Sequence, residues 1–151
     1  MKPAADSLSI HLAILHRQGT QFMAQRLGPW GLGTGLHPYV LALAEGPCLQ
    51  VELSRRLMVD KANTARAVAK LEGLGLVSRV TPAGDQRAWL VALSPKGRDI
   101  VPRIQSVMDE WDSLLRTALG PEASDRLASC LGTLTAALRQ LPVPEAPASE
   151  D

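Results

Sequence analysis

The feature that most constrains this fold is a change of hydrophobic period in the middle of the chain. Residues 50–57 and 60–74 carry apolar side chains at helical spacing, with only two residues between the patterns. Residues 77–81 and 87–93 then favour strands, with the turn sequence Pro-Ala-Gly-Asp between them. Two helices joined by a very short turn and followed by a β-hairpin describe a winged helix-turn-helix.

Helical patterns flank this central unit. Helices are predicted at 8–27 and at 38–44. Ser94-Pro95 is an N-cap followed by a first-turn proline and opens a long helix, and Gly120-Pro121 starts a last one. Pro102 lies within the long helix and is expected to kink it or to mark a late start. The predicted fold is mainly α with a small β-wing of two strands.

The second helix of the central unit has two distinct faces. Asp60 is a suitable N-cap, and Gly75 is placed to end the helix in a left-handed conformation. On a helical wheel, one side carries Thr64, Ala65, Val68 and Leu71. The other side is small and cationic, without an acid: Ala62, Asn63, Arg66, Ala69, Lys70 and Gly73.

This outward face has the chemistry of a helix that reads DNA. Small side chains such as Ala62 let a helix enter the major groove, where Arg66 can pair with guanine and Asn63 with adenine. Lys61 and Lys70 are better placed for phosphates, which position a domain without reading sequence. The alternative is an ordinary solvated face, although such faces usually mix charges of both signs.

The predicted hairpin adds a second DNA contact. Arg87 stands at its tip and can enter a minor groove, where a narrow width concentrates negative potential. Asp85 would brace the loop by pairing with an arginine. The alternative for Asp85 and Arg87 is a simple surface salt bridge.

Charge is unevenly placed along the chain. Sixteen Lys and Arg against 15 Asp and Glu give a net charge of only +1, which argues against a polybasic protein. Residues 52–87 hold 7 basic and 4 acidic groups, or +3, whereas 1–51 carry +1 and 88–151 carry −3. The positive charge is therefore concentrated on the predicted DNA-reading unit.

Composition and pattern exclude other classes. No apolar run approaches the ~20 residues of a membrane span, and no basic stretch followed by an apolar one marks a secretory signal. Two cysteines, Cys48 and Cys130, are too few for a disulfide framework. We expect a cytoplasmic protein without membrane association.

Two segments carry a resemblance to a known family. The run from Asp60 to Val77, DKANTARAVAKLEGLGLV, closely resembles the recognition-helix segment of the MarR (multiple-antibiotic-resistance regulator) family. The run from Gly84 to Gly97, GDQRAWLVALSPKG, resembles the family's wing with its Asp-x-Arg and closing Ser/Thr-x-x-Gly. With the flanking helices, the resemblance covers about residues 8–140.

The resemblance implies a homodimeric transcription regulator, expected to be a repressor of a palindromic operator with half-sites about one helical turn apart. It implies a helical dimerisation region at 8–35 and 95–140, a winged helix-turn-helix domain at 36–93 and a flexible tail at 141–151. A leucine stripe on the last helix needs a partner and supports the dimer independently: Leu127, Leu131, Leu134 and Leu138.

Two residues depart from the family pattern. Leu49 stands where the family often has a capping Ser or Thr, and it cannot cap. Met58 replaces the usual small turn glycine. We expect neither to destroy the fold, but the phosphate contact that the family makes through this cap does not carry over to Leu49.

Family resemblance also implies a possible effector. Many members are released from DNA by small aromatic acids or phenols bound between the dimer base and the DNA-binding lobe. The candidate ligand residues here are His16, Arg17, Gln21, His37, Tyr39 and Trp111. The alternative is that Trp111 belongs to a dimer core and that the histidines are surface or interface groups.

Other functions have less support in the sequence. Cys48 could serve a redox switch, but we expect Cys48 and Cys130 to be buried and inert. His11 and His16 are five residues apart and do not share a helix face, so a metal site would need His37 or ligands from a partner chain, and none is expected. No cofactor is expected either. Cys48 with His37 is the sole conceivable catalytic pair, and no third group orients it, so no enzyme is predicted. A winged-helix module that binds proteins instead of DNA is the alternative function.

Overall fold

A computed structural model describes residues 7–33, 35–81 and 89–140. Within these ranges the chain forms six α-helices and a small antiparallel sheet, which confirms the mainly helical fold with a β-wing. The helices are α1 (Leu8–Leu27), α2 (His37–Ala44), α3 (Gln50–Leu57), α4 (Lys61–Gly73), α5 (Pro95–Leu119) and α6 (Pro121–Leu138). The strands are β1 (Cys48–Leu49), β2 (Val77–Val80) and β3 (Leu90–Leu93), and a 3₁₀ helix follows α1 at Gly28–Trp30.

The sheet has three strands where the sequence predicts two. Its order is β1-β3-β2, with Cys48 opposite Val91 and Val77 opposite Leu93. β1 is two residues long, too short for an alternating pattern to reveal it. The hairpin turn and the predicted tail at 141–151 lie outside the described residues.

The core lies where the helix-turn-helix packs against the sheet and α5. Leu53 of α3, Val68 and Leu71 of α4, Val91 of β3 and Ile104 of α5 are completely buried. Each such side chain contributes roughly 1.5–3 kcal/mol when it leaves water. These contacts hold α4 by its inner face and leave the opposite face to solvent.

A short polar motif joins the end of α4 to the start of α5. The Ser94 hydroxyl donates to the Gly75 carbonyl at 2.6 Å and accepts the Gly97 N–H at 3.0 Å, so Ser94 is the N-cap that the sequence predicts. Gly97 is buried against the Leu76 carbonyl, and a Cβ there would overlap that oxygen. Gly75 has a φ of +72°, which matches the predicted left-handed end of α4.

Helix α5 is continuous across Pro102 and begins at Pro95, so the predicted late start is wrong. The Ser94 cap starts the helix two turns earlier, and the buried side chains of Ile100 and Ile104 hold it on both sides of the proline. This packing outweighs the hydrogen bond that the proline removes.

The chain divides into two compact units, Met1–Asp112 and Ser113–Asp151. In the second unit, Gly120 turns the chain with a φ of +78°, and Ser124 donates its hydroxyl to the Gly120 carbonyl at 2.7 Å. Arg116 and Asp125 form an ion pair at 2.9 Å. Among the described residues, no helix has the length and apolar character needed to cross a bilayer.

Candidate nucleic-acid interface and effector cavity

Helix α4 presents the two faces that its sequence predicts. Thr64, Val68 and Leu71 are buried, and the opposite face is exposed. That exposed face comprises Ala62, Asn63, Arg66, Ala69, Lys70 and Gly73. Asp60 caps the helix as predicted, because its Oδ1 accepts the Asn63 backbone N–H at 2.7 Å.

A chain of side-chain hydrogen bonds runs along the start of this exposed face. The Asn63 amide donates to Asp60 Oδ2, and Arg66 Nη2 donates to Asn63 Oδ1. The helical wheel predicted no acid on this face, whereas in the structure the Asp60 carboxylate lies at the N-terminal edge of the face. The bond from the Asn63 backbone N–H holds the pKa of the Asp60 carboxyl below its ordinary value. The two residues predicted to read bases are therefore linked to each other and to an anion.

Ion pairs neutralise part of the positive charge of the winged helix-turn-helix. Arg79 pairs with Glu72 at 2.5 Å and lies 5.2 Å above the Trp89 ring, and its hydrogen bond lowers the pKa of Glu72. Arg56 pairs with Glu45 at 3.4 Å. These pairs balance two of the arginines outside α4.

The two departures from the family pattern lie at the two ends of α3, Leu49 as its N-cap residue and Met58 in the turn to α4. Leu49 makes no side-chain cap, and the Glu52 carboxylate instead accepts the Leu49 N–H at 3.2 Å. Met58 adopts a left-handed conformation with φ +54°. A non-glycine residue costs about 1–2 kcal/mol in that conformation. The turn keeps its geometry because the Val59 N–H still bonds the Ser54 carbonyl at 3.0 Å.

The predicted wing contacts, Asp85 and Arg87, lie outside the described residues. The described part of the wing ends at Thr81 on one strand and resumes at Trp89 on the other. Trp89 is 42% exposed and is covered on one face by the Arg79 guanidinium.

A cavity of about 480 Å³ brings together three of the six candidate ligand residues, His16, His37 and Trp111. Arg17 and Gln21 are exposed on α1 and do not line it, and Tyr39 is buried in the core. The sequence did not identify Gly19, whose missing side chain leaves space 3.5 Å from the Trp111 ring. A single glycine in a helix carries no signal that a distant tryptophan will face it.

The cavity is mostly apolar with one orphan polar atom. His37 Nδ1 is buried and has no hydrogen-bond partner in the described structure, and burial lowers the pKa of His37. The Trp111 ring stacks near Phe22, with ring centroids 5.2 Å apart and planes tilted by 38°. A flat aromatic wall and one unpaired imidazole nitrogen can accommodate a small aromatic molecule with a polar group.

The two cysteines differ. Cys48 is buried in β1, and burial raises the pKa of its thiol, which disfavours the reactive thiolate. Cys130 is exposed, so the prediction that it is buried is wrong. In the described ranges no group of three His, Cys, Asp or Glu residues could hold a metal ion.

Sequence comparison places the central unit in a family. Residues 34–88 match the sequence profile of the MarR family. The HTH-type transcriptional regulator BilQ of Clostridium symbiosum (strain WAL-14163) is 27% identical over 130 residues, which make up 85% of this chain and 90% of the relative.

Solved structures share the fold across nearly the whole chain. A MarR transcriptional regulator from Methanosarcina mazei Go1 has a TM-score of 0.81 at 26% identity and covers 89% of this chain and 98% of its own. The DNA complex of MepR from S. aureus has a TM-score of 0.77 at 19% identity, covering 87% and 98%. NadR in complex with 4-hydroxyphenylacetate has a TM-score of 0.69 at 23% identity, covering 94% and 99%.

The matching profile includes the α4 segment whose exposed face carries Asn63 and Arg66, and the shared fold extends over the flanking helices. The central unit therefore matches the MarR family, and over most of its length the chain is similar to winged-helix transcriptional regulators of that family.

Proposed function

We propose that this regulator is a homodimeric repressor that binds a palindromic operator and is released by a small aromatic effector. The observation that carries the proposal is the exposed face of α4. On this face Arg66 donates a hydrogen bond to Asn63, and the neighbouring residues Ala62 and Ala69 are small. This surface fits a major groove and carries the two side-chain types that discriminate adenine and guanine.

Base reading requires that the side chains of Asn63 and Arg66 exchange their hydrogen bonds with Asp60 and with each other for bonds to DNA, or turn toward DNA while keeping them. Arg66 would give its Nη donors to guanine O6 and N7, and Asn63 would pair with adenine N6 and N7. Lys61 and Lys70 would contact phosphates on either side, and Arg87 of the wing would enter the flanking minor groove. Repression follows simply, because a protein seated on a promoter excludes other proteins from the same DNA.

The dimer is supported by apolar faces that a monomer would leave in water. Within the first unit, α1 exposes Leu8, Ile10, Leu12, Ile14 and Leu15. Within the second unit, the end of α5 and α6 expose Leu114, Leu119, Leu127, Leu131 and Leu138. Surfaces of this kind mark sites of protein association, and a two-fold dimer would bind a palindromic operator.

Selection of bound fragments from random DNA tests the proposal, and an enriched palindrome is the expected result. Arg66→Ala is then expected to cost about 1–3 kcal/mol on the selected site and to relax preference at one position of each half-site. Lys61→Ala is the matched control, since loss of a phosphate contact weakens all sequences alike and reduces the salt slope.

Fluorescence anisotropy over a salt series, with the selected site and a scrambled one, measures both variants. Equal losses on the two DNAs for Arg66→Ala would show that Arg66 does not read bases. Failure to enrich any palindrome at low salt would favour a protein-interaction module instead.

The effector proposal rests on the cavity lined by His16, His37 and Trp111. The relative NadR binds 4-hydroxyphenylacetate, and a phenol or carboxylate of that size can satisfy the orphan His37 Nδ1 while its ring packs on Trp111. Such a ligand is expected to release this protein from its operator.

Gly19 offers a direct test of the effector cavity. Gly19→Leu fills the space beside Trp111 and is expected to abolish release of DNA by 4-hydroxyphenylacetate without lowering DNA affinity. Gly19→Ala is the control, because its Cβ would make only an ordinary contact at 3.5 Å. Equal release from both variants, measured by anisotropy, would locate the effector elsewhere, and no release from the unmodified protein would contradict this ligand class.

A further inference from the structure

A second and larger cavity lies beside the end of the DNA-reading helix. It has a volume of about 650 Å³ and shares no lining residue with the effector cavity. Its walls come from the 3₁₀ helix after α1, the segment between α4 and β2, and the first turns of α5. The volume falls within the range of small-molecule sites, which is roughly 300–1,000 Å³.

The floor of this cavity is apolar and partly aromatic. Leu74, Leu76 and Ile100 supply aliphatic surface, and Trp30 supplies an indole ring. Trp30 is 41% exposed although it sits among these apolar side chains. A flat ring inserted here would cover that indole and the aliphatic floor together, which is the usual source of affinity in such sites.

The rim of the cavity carries two cations and one carboxylate. The Arg103 guanidinium lies 4.9 Å above the Trp30 ring and forms no ion pair with any described acid. The Lys96 ammonium donates to the Leu74 carbonyl at 2.8 Å and keeps two further protons for other acceptors. Asp99 offsets one of these charges. The rim therefore favours a ligand with a single negative charge.

The same cavity touches the end of α4. Lys96 binds the carbonyl of Leu74, the C-cap residue of α4. Gly31, held at φ +77°, lies so close that an added Cβ would come within 2.8 Å of the Leu74 side chain. A molecule that contacts Leu74 and Lys96 would therefore touch the C-cap residue of the DNA-reading helix.

We propose that this cavity is a second ligand site, for a bicyclic aromatic monocarboxylate. The carboxylate accepts from Arg103 and Lys96, for which a guanidinium fork is well suited. The rings lie over Trp30 and pack on Leu74 and Ile100. The proposal is independent of the operator and of the effector cavity, because it concerns binding to the DNA-free protein.

The three tryptophans make the site observable in the intact protein. Trp30 lines this cavity, Trp111 lines the effector cavity, and Trp89 lies on the wing. Their indole N–H signals, assigned with single Trp→Phe variants, are followed by two-dimensional NMR during titration with 2-naphthoate. The expected result is a saturable shift of the Trp30 signal, with weaker binding of the neutral 2-naphthalenemethanol.

Variants of the rim test the chemistry. Arg103→Gln is expected to lower 2-naphthoate affinity about 10-fold, as loss of a charged hydrogen bond does, and Arg103→Lys is expected to retain part of the affinity. Arg126→Gln on α6 is the control and should bind like the unmodified protein. An unchanged Trp111 signal in the free variants confirms that they are folded.

Three outcomes would overturn the proposal. They are a Trp30 signal that does not move at millimolar 2-naphthoate, a shift confined to Trp111, and an affinity that Arg103→Gln leaves unchanged. None of these outcomes affects the proposed repressor function, which is tested with DNA alone.

Discussion

Single residues on α4 combine a role in folding with the proposed role in base reading. Asp60 uses one carboxylate oxygen to cap the helix and the other to hold the Asn63 amide, which in turn accepts from Arg66. The cap could be predicted, because an acid before an apolar helical pattern is a local signal. The hydrogen bonds that link the side chains of Asp60, Asn63 and Arg66 were not predicted, since they depend on the rotamers that Asn63 and Arg66 adopt.

Thr64, on the buried face of α4, carries a hydroxyl that has no partner in the described structure. A buried hydroxyl without a hydrogen bond destabilises the folded state. Thr64→Val keeps the shape and removes this polar atom, so it is expected to raise the free energy of unfolding by roughly 1 kcal/mol. Urea unfolding at fixed protein concentration measures the change.

Thr64→Ser is the matched control for that substitution. It keeps the hydroxyl and loses the methyl group, so it is expected to be less stable than the unmodified protein by about 1 kcal/mol. A Thr64→Val protein no more stable than the unmodified one would mean that the hydroxyl is satisfied.

At the scale of elements, one joint ties the wing to the long helix. Ser94 bridges Gly75 and Gly97, and Lys96 and Arg98 donate to the carbonyls of Leu74 and Leu93. Four hydrogen bonds from the five residues Ser94 to Arg98 thus join the end of α4, the end of β3 and the start of α5. The Ser-x-x-Gly spacing identified this joint in the sequence, and the structure explains why its last residue is glycine.

Gly97→Ala tests that explanation. An added methyl group would overlap the Leu76 carbonyl and press on Leu93, and backbone cannot move aside as a flexible side chain can. The expected loss of stability is more than about 2 kcal/mol. Gly73→Ala is the control, because nothing lies within 4 Å of its Cβ position, and it should change stability by less than about 1 kcal/mol. Thermal unfolding of both proteins, monitored by circular dichroism, makes the comparison. Equal stability of the two would contradict the close packing at Gly97.

At the scale of the whole molecule, the surplus of positive charge and the runs of exposed leucine and isoleucine belong to different elements. The cationic surplus lies on the winged helix-turn-helix, and large apolar side chains are exposed on α1 and α6. With a net charge of only +1, the protein has a weak overall attraction for DNA. Specific contacts from two subunits are then needed, which makes dimerisation part of the proposed recognition.

Leu131→Glu tests the proposed dimer at its leucine stripe on α6. Burying a carboxylate in an apolar interface is costly, so the variant is expected to sediment as a monomer and to lose affinity for the palindrome. Ser129→Glu adds the same charge to an exposed position of α6 off the stripe and should remain a dimer. A dimeric Leu131→Glu protein at micromolar concentration would exclude this face as the interface.

Much of this protein is determined by signals that are local in the sequence. Each of these signals depends on residues a few positions apart, because backbone geometry acts over that range. They are the helix periods, the Asp60 and Ser94 caps, the left-handed Gly75 and the cationic face of α4.

Features formed by distant segments required the tertiary structure. β1 exists because two residues pair with a strand some forty positions later, and α5 survives Pro102 because buried neighbours hold it. Both cavities are likewise formed by side chains from several elements. Packing alone decided that His16, His37 and Trp111 meet while Tyr39 joins the core, since no pattern along one segment records which distant side chain it will face.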